Sequence, residues 1–165
     1  AEAAMDAALG ALQIAVKLDE RHAESHALLG TLYGMKINGN LLRGARFGPR
    51  VWKHQKKAME FGAQDPRVRY LLGTCQFHTA TKPSAQREAL ATLLSAESLF
   101  AAEAQRAGGP LEPRWGRSSC LTLIGRTYAL LGQRAEAADY FRKALAEHPA
   151  DHVAKEGLAR VVERK

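Results

Sequence analysis

Residues 121–149 read LTLIGRTYALLGQRAEAADYFRKALAEHP. Their apolar positions keep the helical period twice, with Leu121, Ile124, Gly125 and Tyr128 before a Gly132-Gln133 turn and Ala137, Phe141 and Ala144 after it. Two antiparallel helices satisfy this pattern. The small residues Gly125, Ala137 and Ala144 let backbones approach, Tyr128 and Phe141 fill the space between them, and Pro149 stops the second helix.

Outward from this stretch the first-helix pattern recurs as His26-x2-Leu29-Gly30-x2-Tyr33 and as Arg69-x2-Leu72-Gly73. Second-helix partners follow or precede these copies: Ala89-x3-Leu93-x2-Ala96, and Ala8-x3-Leu12-x2-Ala15 near the start. The order and offsets resemble the tetratricopeptide repeat, a helix-turn-helix unit of about 34 residues. Three departures mark the array as irregular. Glu20 stands where the family has Pro, Phe77 falls one place later than the family's aromatic, and the Leu-Gly or Ile-Gly steps at 29, 72 and 124 are 43 and 52 residues apart. The resemblance implies an all-α, tetratricopeptide-like array of antiparallel helical hairpins, a single domain over 1–165 with insertions near 37–49 and 107–115. About eight helices are expected, near 3–18, 22–36, 50–62, 66–79, 84–106, 116–131, 134–147 and 151–163. The last is expected to cap the array, with Val153, Leu158, Val161 and Val162 inward. Gly39, Gly44 and Gly48 give the first insertion the character of a turn-rich loop or lid.

Composition agrees with a helical fold. The 165 residues are 46% hydrophobic, 25% charged and only 7% aromatic, which excludes disorder and disfavours a sandwich of bulky strands. No apolar run reaches the roughly 18 residues of a membrane-spanning helix, so the chain is expected to be soluble. It begins at Ala1 instead of Met, which fits signal-peptide removal, trimming or Met excision. Twenty-four Lys and Arg against seventeen Asp and Glu leave +7, a balance that favours anionic partners. Cys75 and Cys120 lie out of step on their helices by seven residues, roughly 10 Å along the axis, and are expected to be free thiols.

Function is expected on the first helix of each pair, which lines the concave side of such an array. The family's groove offsets, counted from Gly30, Gly73 and Gly125, select Glu24, Ala27, Thr31 and Gly34, then Arg67, Tyr70, Thr74 and Phe77, then Ser119, Thr122, Arg126 and Ala129. Nine of these twelve are small, hydroxylic or aromatic, which suits a mostly apolar pocket with few polar fixings. The same residues also fit a groove filled by the protein itself, with Met35, Trp52, Met59 and Phe61 packing in it. The segments Tyr33-Gly34-Met35-Lys36-Ile37 and Gly73 to Thr79 are similar to a group of bacterial periplasmic tetratricopeptide-like proteins that includes a component of sterol transport. That resemblance implies periplasmic location and an apolar ligand, a sterol or other lipid, held between helices near Ala27, Thr31, Gly34, Tyr70, Thr74, Phe77, Thr122 and Arg126, with other transport proteins as further partners. The competing reading is a scaffold for a peptide or partner protein.

Between Arg43 and Lys57 lie six cations and no acid. Arg46, Arg50, Lys53 and Lys57 could meet an anionic membrane surface or protein, or could form a solvated helix face. Stacking aromatics are too few there for nucleic acid to be expected. The pairs His22/His26 and His148/His152 have helical spacing but too few ligands for a metal. No paired carboxylates, phosphate loop or nucleophile motif stands out, so neither an enzyme nor a cofactor is expected.

Overall fold

A computed structural model describes residues 2–37, 39–106, 109 and 114–163. The described residues form eight helices: α1 (Glu2–Leu18), α2 (Ala23–Ile37), α3 (Leu41–Gly62), α4 (Pro66–Thr79), α5 (Pro83–Ala104), α6 (Arg117–Leu130), α7 (Arg134–Glu147) and α8 (His152–Glu163). They group into two compact units, Ala1–Cys75 and Gln76–Lys165, and the division falls inside α4.

In the first unit α2 lies at the centre. Leu9 of α1 packs on Leu29 and Tyr33 of α2, with Phe47 and Val51 of α3 closing the cluster. Farther along, Ala27 meets Ala58, Val68 and Leu71. Small residues set these distances: a Cβ on Gly30 would lie 3.1 Å from Gln55 Cγ, and one on Gly62 would overlap the Ala23 methyl.

The first insertion is not a turn-rich loop beyond residue 40. Helix α3 begins at Leu41, nine residues before the expected start. The Asn40 side chain accepts from the Arg43 backbone N–H at 3.0 Å, an N-cap worth about 1 kcal/mol. Phe47 then stacks on Tyr33 with ring centroids 5.9 Å apart. That packing outweighs the poor helix propensities of Gly44, Gly48 and Pro49. The second insertion lies largely outside the described residues.

In the second unit the repeat motif explains itself sterically. Leu121, Ala137, Phe141, Ala144 and Ala154 form the core, flanked by Tyr128, Tyr140 and Leu158. A Cβ on Gly125 would lie 2.8 Å from the Phe141 ring, and one on Gly157 of α8 would collide with the same ring. Phe141 is thus seated between two glycines on two other helices. The turn after α6 is closed by Gly132 at φ 77°, with Gln133 N–H donating to Tyr128 C=O at 2.9 Å and Gly132 N–H to Ala129 C=O at 3.1 Å. This is a Schellman cap, and glycine supplies its left-handed residue at no steric cost.

Asp151 starts α8 by accepting from Ala154 N–H at 3.0 Å, and its other oxygen accepts from the Thr122 hydroxyl at 2.6 Å. Of the four residues expected to face inward on α8, Leu158 and Val161 pack on the core, Val153 is half-buried, and Val162 is 51% exposed. Ala154, outside the expected set, is the fully buried residue of this helix.

Gly125→Ala should destabilise the second unit by about 1–3 kcal/mol through overpacking against Phe141. Denaturant unfolding should show it, and a Gly125→Ala, Phe141→Leu double change should recover part of the loss.

Candidate functional site

Most of the expected groove residues are occupied by their own structure. Ala27 is buried against Ala58, Val68 and Leu71. The Thr31 hydroxyl donates to Ala27 C=O at 3.0 Å and accepts from Cys75 Sγ at 3.7 Å, and the Thr74 hydroxyl donates to Tyr70 C=O at 2.8 Å. Tyr70 itself flanks the Ala27 cluster, and Gly34 lies opposite the Cys75 sulfur. Thr122 is tied to Asp151. Hydroxyls expected to fix a ligand are therefore spent on helix carbonyls and a cap, a normal use of threonine in a helix.

The first unit contains a crevice lined by Ala27, Gln55, Met59, Leu71 and Leu72, with an empty volume of about 190 Å³ including the part open to solvent. Pockets for drug-sized ligands run from about 300 to 1,000 Å³. This crevice does not support the expected sterol or lipid carrier.

Two of the expected residues do come together. The exposed Arg126 guanidinium sits 4.8 Å above the Phe77 ring, and His78 meets that ring edge-on at 5.1 Å. Burial first, then the positive Arg126, push the His78 pKa down. Arg126 forms no ion pair among the described residues.

The basic stretch forms the outward side of α3. Arg46 lies 5.3 Å from the Phe47 ring centroid, Arg50 lies 5.5 Å from Tyr33, and Lys56 lies 5.3 Å from Trp52. Lys53 is exposed and Lys57 half-buried. None of these cations, nor Arg43, has an acidic partner among the described residues. Trp52 and Met35, expected to pack inside, are 66% and 57% exposed. The adjacent Leu41 and Leu42 fall in the stretch expected to be a loop, and the structure instead exposes them on the first turn of α3. Asn40 followed by cations at three- and four-residue spacing was the available signal.

A histidine clasp holds α3 to α2. His26 Nε2 lies 3.0 Å from Glu20 C=O, which can only accept, so that nitrogen carries the proton and Nδ1 is left as an acceptor. His54 Nδ1–H then donates to His26 Nδ1 at 2.8 Å. Burial, His26, and the cations Lys53, Lys57 and Arg50 push the His54 pKa down to about 4. Among the described residues no group of three or more His, Cys, Asp or Glu could hold a metal ion.

Both cysteines are thiols. Cys120 is fully buried and its Sγ donates to Leu93 C=O at 3.5 Å, while burial and then Glu97 push its pKa up to about 12.

Solved structures that share this architecture include two of MamA. One superposes with a TM-score of 0.64 at 18% identity, covering 98% of this chain and 79% of its own. The other gives 0.63 at 17% identity, covering 98% and 74%. The fold is a tetratricopeptide-like helical array. At such identity the likeness is one of fold. No family model and no curated protein matches the chain.

The clasp has a pH signature. The unfolded chain takes up a proton at His54 near pH 6.5 whereas the folded one resists until about 4, so the clasp's stability is complete above 6.5 and is lost as pH falls toward 4. His54→Gln should cost about 1 kcal/mol at pH 7. The gap to the unaltered protein should narrow as unfolding is followed down to pH 4.

Proposed function

We propose that this chain is a non-catalytic scaffold for a protein partner, and that Phe77 and Arg126 form part of the contact. The reading is carried by the Arg126 guanidinium, exposed, outside any ion pair among the described residues and held 4.8 Å over an aromatic face. A stacked guanidinium has already lost much of its rotamer freedom, so its N–H edge can take a carboxylate at reduced entropic cost. Arginine and aromatic residues are also the types that dominate the cores of protein interfaces. The partner is expected to present a carboxylate beside an apolar side chain. A carrier of an apolar molecule gains less support, because the threonine hydroxyls are spent internally and the described crevice is small.

A photo-crosslinking benzoylphenylalanine in place of Phe77 should give a discrete protein adduct in cells, and Arg126→Glu in the same chain should abolish it. An adduct of lipid mass, or a protein adduct indifferent to Arg126→Glu, defeats the reading.

A further inference from the structure

The outward side of α3 divides lengthwise into two stripes. Arg43, Arg46, Arg50, Lys53 and Lys57 recur at intervals of three and four and form one. Leu41, Ala45 and Trp52, with Leu42 and Pro49 beside them, form the other, which ends at Lys56, one turn beyond Trp52 with its ammonium 5.3 Å from that ring. The inward side, Phe47, Val51, His54 and Ala58, is taken up by α2 and its neighbours.

We propose that this two-striped face docks the protein peripherally on an anionic phospholipid bilayer. Leu41, Leu42 and Trp52 enter the boundary between headgroups and acyl chains, and the cations rest on lipid phosphates. Leu41 is 91% exposed and Leu42 84%, adjacent at the head of the helix, where water solvates both at a free-energy cost that membrane burial removes. Tryptophan is suited to the same interfacial depth. Arg46 and Arg50 rest against aromatic rings, which steadies them without neutralising them. The only acid on the helix is Glu60, in its last turn.

Charge complementarity favours a bilayer over an acidic protein. Five cations spread along four turns have no counter-ion among the described residues, and mobile headgroups can meet them wherever they fall. A protein would have to match five fixed charges and also offer pockets for two leucines and a tryptophan. Among the described residues no helix is long and apolar enough to cross a membrane, so the contact is interfacial. This surface does not include Phe77 or Arg126, and its test is independent of the scaffold reading.

The full chain is sedimented with phosphatidylcholine vesicles that contain about 30% phosphatidylglycerol or none. The anionic vesicles alone should retain it, and raising salt from about 0.05 to 0.5 M should release it. Lys53→Glu with Lys57→Glu should weaken binding about 20-fold or more. Leu41→Ser with Leu42→Ser, at exposed sites that leave the fold intact by circular dichroism, should weaken it about tenfold or more. In a Trp115→Phe chain the remaining Trp52 emission should shift to the blue on binding. No binding at low salt, equal binding to neutral vesicles, or binding unchanged by the leucine pair overturns the proposal. Capture by polyglutamate without vesicle binding also overturns it, and assigns the face to an acidic protein.

Discussion

The ring of Phe141 needs room that only hydrogen atoms leave, and the second unit is arranged around that need. Gly125 on α6 and Gly157 on α8 each face the ring at a distance no methyl group could share. Three helices thereby converge on one aromatic side chain. With the ring in place, α8 comes close enough for Asp151 to cap its own helix while accepting from Thr122 of α6. Burial alone would raise the Asp151 carboxyl, but the bonds from Thr122, Ala154 and Val153 outweigh it and hold its pKa below the usual value.

The first unit solves the same problem of close approach differently. Gly30 admits Gln55 and Gly62 admits Ala23, but the polar fastening is a pair of imidazoles in a shared hydrogen bond. The cations of α3 sit just beyond that pair. Their positive charge helps keep His54 neutral, so the residues that make the helix surface basic also preserve the bond that seats the helix.

Much of this was legible in the amino-acid sequence, because close packing leaves a periodic trace. Gly125, Ala137, Phe141 and Ala144 appear at spacings that only stacked helices explain, and the helices fall within a few residues of their expected places apart from the start of α3. That start was obscured by Gly44, Gly48 and Pro49, whose local preferences oppose a helix that Tyr33, distant in sequence, stabilises through Phe47. The groove was harder to read. Offsets selected Phe77 and Arg126 separately, with no sign that the two side chains would meet, and residue type could not tell that Thr31, Thr74 and Thr122 would turn their hydroxyls to neighbouring carbonyls and to Asp151. Hydrogen-bond partners of threonine depend on rotamer, which leaves no periodic mark.

The two thiols have a practical consequence. One lies in each compact unit, Cys75 held toward Thr31 and Cys120 sealed beneath α5 with scarcely any thiolate at neutral pH. Alkylation of Cys120 therefore has to wait for transient opening of its surroundings. The protein thus carries its own clock for the breathing of the second unit, without any label being engineered in, while the half-buried Cys75 serves as the faster-reacting reference.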